Sequence, residues 1–356
     1  MLRAVLKYAL AWSIPLCFFL GWKLGGVFSW LTLIYAFGVL PFLEFLIPPQ
    51  KENLPESLRD EWIRRYLFRG ILHLAAITQF AAWIFFLYHI QQDGLTWSEW
   101  LGHVVGMGIM CGVFAINVAH ELGHHTQRFD TIVARMLLAT SLYMHFFIEH
   151  NRGHHRDVGT PQDADTARMH EGVYRFWFRS LVQGYRVSWD IVAKERRRKG
   201  KAVWSITSEW FLYWFIELAL FGAIGWMFSL SVLYAAIGAA VFGIMLLETV
   251  NYIEHYGLMR SKVSAFRYTD VEPWHSWNSD HAIGRAVLFE LSRHSDHHWK
   301  PSKPYQVLDT MDDAAMLPAG YPAMMLLSLI PPLWFRVMNP RVLKIQRADD
   351  TAHGKA

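Results

Sequence analysis

Six long apolar segments constrain the fold of this chain more than any other feature of its sequence. A helix that crosses the hydrocarbon core of a bilayer needs about 20 mostly apolar residues. Segments of this kind lie at residues 6–23, 25–47, 70–90, 99–119, 209–228 and 230–250. Charged residues make up only 18% of the chain, against about 25% in a typical soluble domain. We therefore expect an all-α integral membrane protein with six transmembrane helices, built as a single membrane domain over residues 1–356.

The distribution of Lys and Arg predicts the orientation of these helices, because basic loops remain on the cytoplasmic side. The loop 48–69 carries five basic residues and segment 121–208 carries fourteen, whereas the connections after the third and fifth apolar segments carry none. This alternation places segments 120–208 and 251–345 in the cytoplasm. The net charge of +4 fits such a basic face, and the chain contains no nucleic-acid-binding motif.

Three further regions complete the predicted organisation. The apolar stretches 131–149 and 321–338 are shorter and interrupted, which favours re-entrant or interfacial pieces over spans. The polar tail 347–356 is predicted to be disordered. The two cysteines, Cys17 and Cys111, each lie in an apolar run, so we expect small buried side chains rather than a disulfide or a cysteine-based metal site.

Histidines recur in four short stretches with metal-ligand spacing. These are "HELGHH" at 120–125, "EHNRGHH" at 149–155, "NYIEHYGL" at 251–258 and "RHSDHH" at 293–298. On a helix, residues three or four apart share a face. The spacing therefore predicts that His120 points with His124, that His150 points with His154, and that His294 points with both His297 and His298. All four stretches fall on the predicted cytoplasmic side, near helix ends.

Nine histidines in these stretches are candidate metal ligands. Nine imidazoles are too many for one ion and fit two ions with four or five nitrogen ligands each. The candidates are His120, His124, His150, His154, His155, His255, His294, His297 and His298. His125 is expected to face away from the first pair.

Four carboxylates adjoin these histidines and could orient the imidazole rings from behind. They are Glu121, Glu149, Glu254 and Asp296. A solvated or structural role fits each of them as well.

The histidine stretches resemble those of a known family, and so do "HSWNSDH" and the segment "HFFIEHNRGHHRDVGTPQDADTARM". The resemblance, which covers nearly the whole chain, is to the membrane-bound non-haem di-iron alkane 1-monooxygenases (alkane omega-hydroxylases) of the fatty-acid desaturase-like superfamily. It implies that the nine histidines hold two non-haem iron ions in a cytoplasmic helical cap, on the inner membrane of a bacterium. Ser292 departs from the usual Gln of the last stretch.

The same resemblance implies the reaction and the partners. It implies O2-dependent hydroxylation of medium- and long-chain n-alkanes at the terminal carbon, giving 1-alkanols. The chain has no CxxC pair and no haem or flavin motif, so electrons must come from outside. The resemblance implies rubredoxin and an NAD(P)H-dependent rubredoxin reductase as the source. The basic run 194–201 is a candidate docking surface, although binding of anionic lipid or topology alone explains it equally.

An alkane offers no polar handle, so an apolar channel between the helices must position it. Ala36, Gly38, Gly106 and Gly108 are small residues that could leave room for such a channel. Ordinary close helix packing explains each of them as well.

Other functions remain possible on the sequence alone. A related di-iron enzyme could hydroxylate aromatic methyl groups of the xylene type, or act as a fatty-acyl hydroxylase or desaturase. The pattern H-E-x-x-H in "HELGH" is also that of zinc proteases, but an intramembrane protease leaves the other three histidine stretches unexplained. A non-enzymatic metal carrier would not need nine convergent ligands. Substrate assays and O2 consumption separate these possibilities.

Overall fold

Six helices of the computed structural model are long and apolar enough to cross a membrane, and they dominate the residues that the structure describes, 2–265 and 267–352. Spans 1 to 6 are Val5–Leu24, Gly26–Leu46, Tyr66–His89, Trp97–Gly123, Glu209–Met227 and Leu230–His255. They match the six predicted segments to within five residues at every end. A bent pair, Tyr321–Ser328 and Pro331–Arg347, turns by 120°. It would add a seventh span if it were counted as one, and it covers the apolar stretch that the sequence predicts to be re-entrant or interfacial.

Three of the spans contain turns that are not α-helical, and two of these turns have a proline as their cause. A proline inside a helix removes one backbone hydrogen bond and clashes with the carbonyl four residues earlier. Pro15 follows a 3-10 turn at Ala9–Trp12, and Pro41 follows a π turn at Tyr35–Val39. In both cases the clashing carbonyl lies inside the altered turn. Span 4 contains a π turn without proline, Cys111–Ile116, directly before "NVAHELG".

The remaining elements are shorter and lie between and after the spans. Helices outside the spans are Glu56–Ile63, Arg128–Thr140, Phe146–Glu149, His155–Asp157, Val173–Arg198, Ala282–Val287, His294–Trp299, Tyr321–Ser328 and Pro331–Ala352, with a π turn at His150–His154 and 3-10 turns at Pro273–His275 and Tyr305–Val307. Within the spans, the helical pieces are Leu2–Tyr8, Ser13–Leu24, Gly26–Trp30 (3-10), Leu31–Ile34, Leu40–Leu46, Trp97–Met110 and Asn117–Gly123.

Two small sheets and the last helix depart from the predicted organisation. Lys262–Ser264 pairs antiparallel with Arg267–Tyr268, and Trp277–Asn278 pairs parallel with Ala315–Met316. The expectation of a purely helical chain is therefore wrong for these short pairs, which satisfy backbone groups in the connection after span 6. The predicted disorder of the tail is wrong for residues 347–352, which continue the last helix; residues 353–356 lie outside the described part of the chain.

Span 4 lies at the centre of the bundle. Of its most apolar stretch, 89% is buried, compared with 22% for spans 2 and 5. Its glycines allow neighbouring helices to approach closely, because a Cβ added at Gly102 would lie 2.5 Å from Ser29 Oγ and one at Gly108 would lie 2.6 Å from Phe242 Cβ. Small residues permit this kind of contact between helices in membranes. Both cysteines are buried, as predicted.

Two buried carboxylates fasten the segment 282–298 to spans 1 and 2. Glu290 pairs with Lys7 of span 1, and it accepts hydrogen bonds from Tyr8 Oη at 3.1 Å and from Arg285 Nε at 2.7 Å. Glu44 of span 2 accepts from the backbone N–H of Gly284 at 2.8 Å. Because this segment contains three candidate ligands, these contacts fix the position of the histidines relative to the bundle.

Close packing of spans 4 and 6 predicts that Gly243→Ala is destabilising. The new Cβ would lie 2.7 Å from Cys111 Cβ and 3.1 Å from the Gly108 carbonyl oxygen, so the helices must move apart. We expect a loss of about 1–3 kcal/mol, measured by thermal unfolding in detergent. Gly222→Ala in span 5 is the matched control, because an added Cβ there meets no described atom within 4 Å. Equal stability of the two variants would contradict this packing.

Candidate metal centre

All nine candidate histidines gather at one end of the bundle, in two groups. The five-histidine group contains His120, His124, His150, His155 and His297, and the four-histidine group contains His154, His255, His294 and His298. Within each group, the nearest ligand atoms all lie within 4.8 Å of one another. The division into five and four corresponds to the number of ligands expected for two ions.

Short distances between ring nitrogens characterise the five-histidine group. His155 Nε2 lies 3.0 Å from His150 Nε2, 3.2 Å from His124 Nε2 and 3.2 Å from His297 Nε2. His120 Nε2 lies 3.0 Å from His297 Nε2. The Nε2 atoms of all five rings therefore point at one small volume.

The four-histidine group has the same geometry. His298 Nε2 lies 2.9 Å from His294 Nε2 and 3.2 Å from His154 Nε2, and His294 Nε2 lies 3.1 Å from His255 Nε2. Two nitrogens that each bind one ion at about 2.1 Å, at right angles, lie about 3.0 Å apart. The spacing in both groups thus fits imidazoles arranged around a single transition-metal ion.

Two of the predicted pairings are wrong, and the local helix geometry explains both. His150 shares a group with His155 rather than with His154, because residues 150–154 form a π turn that brings residues five apart onto one face. In the last stretch, His294 shares a group with His298, whereas His297 joins the other group. The structure does place His120 and His124 together, as their spacing predicts.

Burial keeps most of these rings neutral. Loss of water disfavours the imidazolium form, and it lowers the pKa of His124 to about 3. Burial and the neighbouring rings hold the pKa well below its ordinary value for His150, His155, His294, His297 and His298. A neutral imidazole carries the lone pair that a metal ion requires.

His154 differs from the other rings because a carboxylate lies behind it. Burial lowers its pKa, but the carboxylates of Asp163, Asp165 and Glu248 together outweigh burial and the net shift is upward. Both carboxylate oxygens of Asp163 lie 3.1 Å from His154 Nδ1, and Thr166 Oγ1 donates to the same carboxylate. Such a partner fixes the tautomer and the orientation of a ligating ring. Sequence reasoning missed Asp163, although it lies in the quoted "PQDADTARM".

Of the four predicted carboxylate partners, the structure places one behind a group histidine. Glu254 Oε1 lies 3.3 Å from His294 Nδ1 and accepts from Tyr321 Oη. Glu121 instead accepts from the backbone N–H of Tyr305. Asp296 pairs with Lys303 and accepts from the backbone N–H of Asp309. These contacts fasten the chain around the groups.

Glu149 does not contact a ring nitrogen of either group in the described residues; its carboxyl group lies among the acidic side chains of Asp163 and Asp165. Burial raises the pKa of Glu149 well above its ordinary value, and the carboxylates of Asp165 and Asp163 raise it further. A raised pKa favours the neutral acid, which lessens the repulsion between these buried acidic side chains.

An almost entirely apolar cavity lies between spans 1, 2, 4 and 6. Asn117, Val250 and Leu291 line it, and these residues precede His120, His255 and His294 by three to five positions. Only one of the four predicted channel residues lines this cavity. Ala36 lines the cavity, as do Gly112 and Glu44, which sequence reasoning missed.

The other three predicted channel residues do not line this cavity. Gly106 and Gly108 pack against Thr32 and Phe242 of neighbouring spans, and Gly38 is exposed on the outside of span 2. Close helix packing, the alternative interpretation, therefore holds for both span 4 glycines. A lone carboxylate in an apolar run was the available signal for Glu44.

Buried imidazoles in two groups, at one end of six long apolar helices, define a membrane protein with a histidine-rich metal centre. The family model described as Fatty acid desaturase matches residues 95–328. The chain is 38% identical over 330 residues to the alkane 1-monooxygenase of Pseudomonas putida, which covers 92% of this chain and 81% of the relative. The match to alkane 1-monooxygenase 1 of Alcanivorax borkumensis is 36% over 331 residues, covering 92% and 80%.

A more distant match is the xylene/toluene monooxygenase hydroxylase component of Pseudomonas putida, 25% identical over 336 residues, covering 94% of this chain and 87% of the relative. The chain belongs to the fatty acid desaturase family and, within it, to the alkane 1-monooxygenases. This confirms the resemblance recognised in the histidine stretches.

The contact between Asp163 and His154 predicts that Asp163→Asn weakens metal binding. The amide keeps the shape of the side chain but removes the charge that orients the ring, and loss of such a partner typically costs about 10- to 100-fold in affinity. Metal titration of the chelator-treated protein measures the effect. Asp190→Asn, at an exposed position of helix Val173–Arg198, is the matched control. An unchanged affinity in Asp163→Asn would show that this carboxylate does not support the site.

Proposed function

We propose that this protein hydroxylates the terminal carbon of medium- and long-chain n-alkanes, with O2 as co-substrate, at two iron ions held by the nine histidines. One observation carries the proposal: two groups of mostly buried imidazoles lie at one end of the bundle, three to five positions along the chain from residues that line an apolar cavity between the spans. Membership of the alkane 1-monooxygenases supports the substrate class. Nine nitrogen donors, without a carboxylate in either group among the described residues, suit iron and other imidazole-binding metals.

The reaction consumes an alkane, O2, two electrons and two protons, and yields a 1-alkanol and water. The two iron ions supply the activation of O2 when they are bound. The chain supplies the rest: Asp163 and Glu254 lie behind His154 and His294, and burial keeps bulk water away from the four-histidine group. Exclusion of water protects a reactive oxidant from side reactions.

The cavity supports a linear apolar substrate. Its walls are formed almost entirely by aliphatic and aromatic side chains, among them Ile14, Phe37, Leu247 and Met325. Such a surface binds a hydrocarbon through burial of apolar area and provides few polar groups to favour a functionalised molecule. Asn117 and Leu291 of the wall lie three positions before His120 and His294, so this side of the cavity would direct the terminal carbon towards the histidine groups.

We also propose the source of electrons and the orientation. Reduced rubredoxin, recharged by an NAD(P)H-dependent reductase, supplies one electron at a time from the cytoplasm. The alternation of basic loops supports a cytoplasmic position for both histidine groups in a bacterial inner membrane. Spans 4 and 6, which carry His120 and His255 at or near their ends, place these ligands on the same side.

The arrangement around Glu121 argues against a zinc protease. In that class, the glutamate of H-E-x-x-H activates a metal-bound water. Here Glu121 Oε1 accepts a hydrogen bond from the Tyr305 backbone at 3.0 Å and lies 3.5 Å from His125 Nε2. His120 and His124 also share their group with three further histidines. A zinc protease site would have no role for these additional imidazoles.

The metal content of the purified protein tests the proposal. We expect about two irons per chain, by analogy with the two groups, and O2-dependent formation of 1-octanol from octane. His255→Ala removes one ligand of the four-histidine group, so iron content and product should both fall. His281→Ala, which lies outside both groups and contacts Ser279, should retain both. One zinc without iron would reject the proposal, and turnover of p-xylene or of a fatty-acyl substrate in place of octane would shift the substrate assignment.

The cavity predicts an effect of side-chain volume on chain-length preference. Ala36→Leu adds three carbons to the cavity wall, so longer alkanes should lose turnover while the shortest accepted alkanes retain it. A gas-chromatographic comparison of alkanes from octane to hexadecane measures the shift. Gly38→Leu, two residues away on the exposed side of span 2, serves as the matched control. Identical product profiles for both variants would place the substrate elsewhere.

A further inference from the structure

A recess on the surface beside the five-histidine group has no role in the chemistry described so far. We call it the arginine recess. Its wall includes Arg64, Arg65, Arg69, His124, His125 and Tyr305. His124 thus belongs both to this wall and to the five-histidine group, towards which its Nε2 points.

The other group histidines are more deeply enclosed. His124 and His155 are partly exposed, whereas the remaining seven are buried. Of these two, His124 lines the recess. The imidazole of His124 therefore connects the surface to the interior of the five-histidine group. Its Nε2 atom lies 3.2 Å from the Nε2 atoms of both His150 and His155.

The charge of the recess is positive. Three arginines line it, and no acidic side chain does so among the described residues. Asp60 lies 3.9 Å from Arg64, and Glu61 pairs with Arg65, but these are exposed pairs of residues four apart in the chain and contribute little. Arg64 and Arg65 therefore remain available to an anionic partner.

A buried carboxylate holds the inner wall of the recess in place. Asp130 accepts hydrogen bonds from Arg69 Nε and Nη2 at 3.0 and 2.8 Å, and it also lies 2.8 Å from His73 Nε2 and 2.7 Å from His125 Nδ1. These contacts join span 3 to the chain directly after His124. The wall is thus rigid where a docked partner would come nearest to the five-histidine group.

We propose that the arginine recess is the docking site of the electron donor and that His124 is the residue through which electrons enter. The partner is a small, acidic, one-electron carrier protein. Each reduced donor is oxidised by one electron, and two donors serve one turnover without any bond forming between the proteins. The inference rests on the proposed function, because that reaction needs two external electrons. A phospholipid headgroup could also bind the arginines, but headgroup binding does not require a recess that reaches a histidine of the metal-binding group.

The basic run 194–201 is the competing surface. It ends helix Val173–Arg198, and Arg197 and Arg198 are exposed there. Trp204 and Ile206, 77% and 76% exposed, lie directly after it. Basic residues beside exposed apolar ones are typical of a contact with anionic lipid. No described residue of the run lines a recess that contains a group histidine.

Two charge-reversal pairs distinguish the surfaces. Arg64→Glu/Arg65→Glu alters the recess, and Arg197→Glu/Arg198→Glu is the matched control in the basic run. Each protein is placed in nanodiscs of neutral lipid and, in parallel, of anionic lipid, and an acidic bacterial rubredoxin is the probe. We measure its binding affinity, its KM in alkane turnover, and the iron content. The recess pair should weaken binding about tenfold or more at low salt, with little change in kcat at saturating donor, because steering charges act on association.

The control pair, the salt dependence and the lipid dependence show whether the recess binds the donor. The control pair should bind the probe within about twofold of the unmodified protein, and high salt should remove the difference between the variants, since it screens exposed charges. Unchanged binding and KM in the recess pair would overturn the inference, as would a defect seen only in nanodiscs of anionic lipid, which assigns the arginines to headgroups. Failure of the proposed function itself is distinguishable, because the unmodified protein would then contain no iron and form no 1-octanol with a chemical reductant.

Discussion

Desolvation of nine imidazoles is the constraint on which the rest of this structure depends. Rings with free lone pairs face one another at about 3 Å inside the protein, where unpaired polar groups are costly. Only a cation at the centre of each group compensates all of the lone pairs at once. Burial disfavours a proton in that place at most of the rings, because the imidazolium form is disfavoured without water. The groups are thus arranged for metal ions, and their neighbours must hold the rings in position.

The membrane helices supply this rigidity. Glycines let spans 4 and 6 pack without a gap, and span 4 carries His120 while span 6 ends at His255. The remaining ligands belong to segments outside the spans, which need separate attachment. Glu290 and Glu44 provide it by joining the segment before His294 to spans 1 and 2. Buried charges of this kind are costly to leave unpaired, so the attachment has one favourable geometry.

Sequence reasoning recovers what depends on composition and short spacing. The six spans, the nine histidines and their distribution over four short stretches all follow from local pattern. The sequence does not reveal the π turn at 150–154, which depends on tertiary packing and separates His154 from His150. Nor does it reveal that Asp163 supports His154, since carboxylates that adjoin a ligand in sequence, such as Asp296, instead contact Lys303. The cavity wall is equally a matter of packing, which explains why Ala36 lines it while Gly106 and Gly108 do not.

Two short stretches each contribute ligands to both groups. Residues 150–155 provide His150 and His155 to one group and His154 to the other, and helix His294–Trp299 provides His297 to the first and His294 and His298 to the second. The separation of two bound ions would consequently be set by the pitch of two single turns rather than by the distance between distant helices. Loss of one ion would loosen both turns and with them the ligands of the other ion. The two sites should therefore fill and empty cooperatively, as a single unit.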